Sequence, residues 1–133
     1  MSEDIAQQWL AKAAETANAG DVDAHMDLIS KQVSLHGERD LESITWEDWK
    51  KQVSHEFSQG LLRCVRYDGL KLIASTGNGV MFKTRETVEA SDGTRHVRGV
   101  EMLVARESDG KWRLVQERIM PHEETVADGL LPE

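Results

Sequence analysis

Between Arg63 and Met120 the chain runs in apolar and polar alternation, rich in Val, Thr, Ile and Leu. Strands on a half-buried sheet carry this pattern. The runs are broken at Gly77-Asn78-Gly79, at Asp92-Gly93 and at Asp109-Gly110. Glycine at such points supplies a left-handed backbone that a Cβ resists. The spacing predicts four antiparallel strands joined by three tight turns, with Val97 to Met120 as the clearest hairpin.

If both Asp-Gly pairs form two-residue turns, Val104 faces Val115, Glu101 faces Arg118 and Phe82 faces Leu103. Period-two alternation then sorts the side chains into two sets. One holds Ile73, Val80, Phe82, Val88, Val97, Leu103, Ala105, Trp112 and Leu114, with Lys71, Thr84, Glu86, Glu101, Gln116 and Arg118. The other holds Leu70, Leu72, Ala74, Met81, Val100, Met102, Val104, Val115 and Ile119, with Lys83, Arg85, Arg106 and Arg113. A turn one residue longer would slip the register and mix the sets. Both faces are partly apolar, which implies two coverings. The protein's own helices would cover one face, and a second copy the other, making a homodimer through the outer sheet face.

Upstream the period changes to helical. Ile5, Ala6, Trp9, Leu10, Ala13, Ala14 and Ala17 recur at helical spacing after Ser2, Glu3 and Asp4, and Gly20 ends the run. Asp21 then caps a second helix predicted over Val22 to Gln32, followed by a short strand from Val33 to His36. A polar loop, GERDLES, leads to a third helix opened by Ile44 and Thr45. Thr45 and Asp48 form a capping box, Ile44 and Trp49 a hydrophobic staple, and Trp46, Trp49, Val53 and Phe57 the apolar stripe. Pro121 ends the last strand. The acidic tail from 121 to 133 is left open between disorder and folding over a neighbour.

Composition narrows the functional classes. The 133 residues suit one domain spanning 1–133, with 24 acidic against 16 basic side chains and a formal net charge of -8. With no clustered basic stretch, nucleic acid and anionic membrane are not expected partners. The single cysteine, Cys64, excludes an internal disulfide. No signal peptide or membrane-length apolar run is read, so a soluble cytoplasmic protein is expected. No metal motif, nucleophile elbow or phosphate-binding loop occurs, and no cofactor is expected.

Two stretches carry a family likeness. Asn18-Ala19-Gly20-Asp21-Val22-Asp23-Ala24 and Asp109-Gly110-Lys111-Trp112-Arg113-Leu114-Val115 resemble the first helix junction and the last hairpin of the nuclear transport factor 2-like superfamily. That group includes ketosteroid isomerase and the polyketide cyclases. The order of elements extends the likeness over nearly the whole chain. It implies an α+β fold: three N-terminal helices on a curved antiparallel four-stranded sheet, plus one short strand, around a cone-shaped cavity. It also implies dimers through the outer face. Counted from Asn18, the isomerase tyrosine falls on Ala13 and its base on Gly37, beside His36. Tyr67, the only tyrosine, lies elsewhere, which argues against that isomerisation.

The first face set supplies the candidate site. Phe82, Leu103, Trp112 and Leu114, with Trp49 from the third helix, would line an apolar pocket, and Glu86 and Gln116 would add polar contacts. Arg118 opposite Glu101 is either a structural ion pair or a ligand-orienting guanidinium beside a general base. His36, which the resemblance places near the cavity rim, is the third catalytic candidate. The leading expectation is a dimeric protein that binds a small apolar or amphipathic molecule. The alternatives are a cofactor-independent acid-base enzyme (isomerase, cyclase, dehydratase or epoxide hydrolase) and a protein-association module.

Overall fold

The computed structural model describes residues 2–36 and 45–132. The GERDLES loop, Gly37 and the staple residue Ile44 lie outside the described residues. The elements are α1 (Ser2–Asn18), α2 (Val22–Met26), β1 (Ile29–His36), α3 (Trp46–Ser58), β2 (Leu62–Ser75), β3 (Gly79–Ala90), β4 (Arg95–Arg106), β5 (Trp112–Ile119) and α4 (His122–Ala127). The five strands form one sheet in the order β1-β5-β4-β3-β2. The β2 to β5 meander is antiparallel, and β1 pairs in parallel with β5.

The helix signals act as chemistry predicts. Gly20 and Gly60 take left-handed backbone at φ +68° and +63° after α1 and α3. Asp21 accepts from the Ala24 amide at 3.1 Å, and Thr45 from the Asp48 amide at 3.1 Å. The second helix is shorter than its sequence predicts. It stops at Met26, and the strand begins at Ile29 rather than Val33. The carbonyls that a longer helix would use are taken from outside. Trp9 Nε1 donates to Leu28 O at 3.1 Å, Trp46 Nε1 to Ile29 O at 3.0 Å, and the Leu114 amide to Leu28 O at 2.9 Å.

Both Asp-Gly turns are one residue longer than the two-residue reading. The Ala90 amide donates to Thr94 O, and the Glu107 amide to Lys111 O, so three residues close each loop. Gly93 and Gly110 supply the left-handed residue at φ +92° and +84°, as a three-residue hairpin needs. Gly77 and Gly79 do not take that conformation.

The longer turn corrects the register. Phe82 pairs with Met102, not Leu103, and Val104 pairs with Leu114, not Val115. The inner face is therefore Val80, Phe82 and Thr84 on β3 with Val100, Met102 and Val104 on β4, each 1% exposed or less. Leu103 points to the outer face, away from Phe82 and Leu114. Between Leu103 and Val104 the β4–β5 register shifts, leaving Val115 as an extra residue in β5. Past that bulge Glu101 faces Arg118, as the sequence predicts, and Glu117 faces Met102.

The tail folds back over the outer face. Thr125 is 1% exposed, and a Cβ built on Gly99 would come within 2.6 Å of its hydroxyl. Lys83 reaches Asp128 at 2.8 Å and Glu124 at 3.3 Å, while Arg118 Nη1 donates to Glu124 at 3.0 Å. Part of the surface read from sequence as a meeting place for two copies is thus covered by the chain itself. Leu72 and Ile73, near the end of the edge strand, stay more than 40% exposed.

Gly99 is a direct test of this docking. Gly99→Ala should destabilise the full chain by about 1–3 kcal/mol through overpacking against Thr125. In native-state hydrogen exchange the loss of protection should concentrate in residues 121–130. Unchanged protection there would show that the tail does not depend on the Gly99 contact.

Candidate functional site

The inner face and the helices enclose a cavity of about 350 Å³. Trp9, Ala13 and Ala17 of α1 form one wall, with small residues leaving space beside the indole. Trp49, Val53 and Phe57 of α3 form another, and Met102 and Leu114 form the floor. Such a concave apolar space with a few converging polar groups is the usual form of a small-molecule site.

The polar groups come from four strands and from α2 and α3. Glu86 of β3 and Tyr67 of β2 are cross-strand partners. The Tyr67 hydroxyl donates to Glu86 Oε2 at 3.2 Å, and Arg98 Nε of β4 donates to Oε1 at 2.9 Å. The Glu86 carboxylate is 9% exposed and is thus held by two donors. Burial first, and then the Glu86 and Glu117 charges, push the Tyr67 phenol well above its ordinary range. Arg98 is 43% exposed, so it stands where the cavity meets solvent.

Glu117 differs from Glu86. Its residue is 5% exposed, its side chain borders the cavity, and no hydrogen bond reaches its carboxyl from the described residues. Burial, reinforced by the Glu86 charge and only partly opposed by Arg98, raises its pKa from the ordinary 4.5 to about 8. At neutral pH it is mostly a neutral acid that can give or take a proton. The bulge at Val115 puts it there. In an unbroken strand Gln116 and Arg118 would share a face with Leu114, and Glu117 would point outward.

His25 also lines the cavity, packed edge-on to Phe57 with ring centroids 5.9 Å apart. Thr16 donates its one hydroxyl proton to the Lys12 carbonyl at 2.8 Å or to that of Ala13 at 3.2 Å. Its oxygen is then free to accept from His25 Nδ1 at 2.8 Å. Burial lowers the imidazole pKa, which favours the neutral ring with Nε2 left as an acceptor.

The residues predicted from sequence divide between the two faces. Glu86, Leu114 and Trp49 line the cavity. Phe82 lies on the inner face as fully buried core, and Trp112 packs against that core. Leu103 and Gln116 are cross-strand partners on the outer face. Glu101, Arg118 and His36 do come together, in register across β4, β5 and β1. They do so outside the cavity. There Arg118 Nη2 and Nε donate to Glu101 at 3.1 and 3.4 Å, and Nη1 and Nη2 donate to Glu124 of the tail, while His36 is exposed and contacts Ser34. Glu117, Tyr67, Arg98 and His25 escape the sequence reading. For Glu117 a signal existed: it alternates with Val115 and Ile119, a charged residue in an apolar row. Among the described residues no group of three His, Cys, Asp or Glu side chains is placed to hold a metal ion.

A model of the SnoaL-like domain matches residues 6–119, from the first helix to the end of β5. The chain belongs to the SnoaL-like domain family. Its fold is that of the nuclear transport factor 2-like superfamily. A nuclear transport factor 2-like protein of unknown function from Shewanella oneidensis MR-1 superposes with a TM-score of 0.75 at 17% identity, covering 90% of this chain and 98% of that one. A nuclear transport factor 2-like protein with a cystatin-like fold from Novosphingobium aromaticivorans gives 0.72 at 14% identity, covering 99% and 89%. A cystatin-like protein of unknown function from Nostoc punctiforme gives 0.67 at 14%, covering 88% of each. At these identities the likeness of this SnoaL-like chain to each structure is one of fold. No curated protein matches it significantly.

Glu117 makes stability depend on pH. Between the ordinary carboxyl pKa and its own raised value, the folded chain binds a proton that the unfolded chain releases. Stability from this group therefore falls as pH rises toward about 8 and levels off above it. Glu117→Gln removes the titration. It should stabilise the protein by on the order of 2–4 kcal/mol at pH 9 relative to its effect at pH 4.5. Urea unfolding of both proteins across that range checks the sign, and a constant difference would refute the assignment.

Proposed function

We propose that this SnoaL-like chain binds a small, largely apolar organic molecule in the cavity, and that Glu117 exchanges a proton with it. One observation carries the reading. The carboxyl of Glu117, a residue 5% exposed, takes no hydrogen bond from the described residues and faces a cavity about 350 Å³ in size. No buried side-chain oxygen among the described residues lacks a partner, so the Glu117 oxygens are open to the cavity, where a bound molecule can meet them.

The catalytic alternative draws on the same group. General acid-base catalysis works best when the pKa lies near the working pH, and Glu117 is at about 8. The Glu86–Arg98–Tyr67 cluster would hold a fixed ion pair beside it. Isomerase, cyclase, dehydratase or epoxide hydrolase chemistry would all use such an acid, and the geometry favours none of the four. Pairing of two copies through the outer face remains a further proposal. It concerns the strip that α4 leaves open.

A neutral apolar dye tests the binding reading. Nile red should enter the wild-type protein saturably, one molecule per chain, and raise the melting temperature. Ala13→Leu fills part of the space and should weaken uptake by about tenfold while leaving the melting temperature within a few degrees. Uptake that does not saturate, or that ignores Ala13→Leu, would place the dye elsewhere and remove the support for a binding cavity.

A further inference from the structure

We infer that the molecule this cavity is built for is an amphipathic organic cation, an ammonium on an aromatic or aliphatic body, with its nitrogen on the carboxylate of Glu117. The inference rests on the binding reading above and adds the chemical class of the ligand.

The donor and acceptor inventory is lopsided. Trp9 spends its N–H on the Leu28 carbonyl, Tyr67 its hydroxyl on Glu86, and Arg98 its Nε on Glu86. His25 gives Nδ1 to Thr16. The Arg98 Nη groups stay open at the solvent edge; deeper, around an ionised Glu117, what stays open is acceptor capacity: its own two oxygens and Nε2 of His25. A ligand that satisfies acceptors must bring N–H or O–H groups.

Charge points the same way. Among the described residues, the charged or titratable side chains facing the cavity are His25 of α2, Glu56 of α3, Tyr67 of β2, Glu86 of β3, His96 and Arg98 of β4, and Glu117 of β5. Three carboxyl groups stand against one guanidinium, which Glu86 already neutralises at 2.9 Å. A second anion would be repelled, whereas a cation would allow Glu117 to ionise. Aromatic rings complete the match. Trp9, Trp49, Phe57 and Tyr67 line the same space, and ring quadrupoles attract a desolvated ammonium.

Three probes of one shape decide it: phenethylamine, 2-phenylethanol and 3-phenylpropionate, each titrated calorimetrically into the wild-type chain. The amine should bind at least about tenfold more tightly than the alcohol, and the acid should bind most weakly. Because Glu117 must lose its proton, amine affinity should rise about tenfold between pH 6 and pH 7 and level off above pH 8. Near neutral pH, runs in buffers of different ionisation heat should show close to one proton released. Glu117→Gln should abolish both the preference and the pH dependence. The proton count on the wild-type chain keeps the test decisive even if that variant folds poorly.

Tightest binding by the acid, equal binding of amine and alcohol, or amine affinity flat with pH would each overturn the inference. If the alcohol binds through Glu117 and the amine does not, the ligand class is wrong but the binding cavity stands. If none of the three binds and Nile red is not taken up either, both fall.

Discussion

One inserted residue, Val115, determines what this fold can do. A strand presents its side chains to alternate faces, so an extra residue reverses the order of everything beyond it. Before the bulge Leu114 points inward. After it Glu117 points inward, and Gln116 and Arg118 turn out. Without the bulge, the cavity floor would carry an amide and a guanidinium, and the carboxyl would lie among tail residues. The electrostatic character of the inner space and the docking of the tail on the outer face thus share one local cause.

The two buried carboxyl groups show how differently the fold treats the same functional group. Glu86 has two donors and a cationic neighbour, so its burial is compensated. Glu117, its equal in exposure within a few per cent, takes no hydrogen bond from the described residues, and its oxygens open on the cavity. Its raised pKa is the expected response of an acid held mostly out of water. The Glu86 charge raises the Glu117 pKa further, while Arg98 lowers it. A carboxyl whose pKa burial raises beside a cavity is a candidate for proton transfer. Here the fold keeps a costly group beside open space rather than replacing it with an apolar residue that would pack.

Much of the architecture could be read from the sequence because its signals are local. Gly20, Gly60, Asp21 and Thr45 mark helix ends through backbone conformation and short-range hydrogen bonds. The strand order follows from three turns in a row. The facing of side chains was not legible in the same way. Asp-Gly serves both two-residue and three-residue loops, and the choice between them reverses one strand against its neighbour. That single choice placed Leu103 and Gln116 in the pocket from sequence and left Met102 and Glu117 out. The Glu101–Arg118 pair was matched correctly because the longer turn and the bulge at Val115 cancel. Its face was nevertheless wrong. The early end of α2 depends on Trp9, Trp46 and Leu114, which are remote in sequence and which capture the backbone of Leu28 and Ile29. Helical periodicity cannot register such captures.

The tail completes the logic of the sheet. The outer face carries Lys83 and Arg118, and the acidic residues Glu124 and Asp128 come back to meet them. The approach is close because Gly99 has no side chain to hold α4 away from β4. Such half-exposed ion pairs are each worth little. Their effect on the site comes from where they act. Arg118 follows Glu117 directly, and its guanidinium is held between Glu101 and Glu124 on the outside. Turning Arg118 inward would break those bonds and bury an unpaired cation, so they oppose any slip that would remove the bulge. The acidic tail therefore does on the outer face what the packed core does on the inner one. Both hold β5 in the single register that aims Glu117 at the cavity.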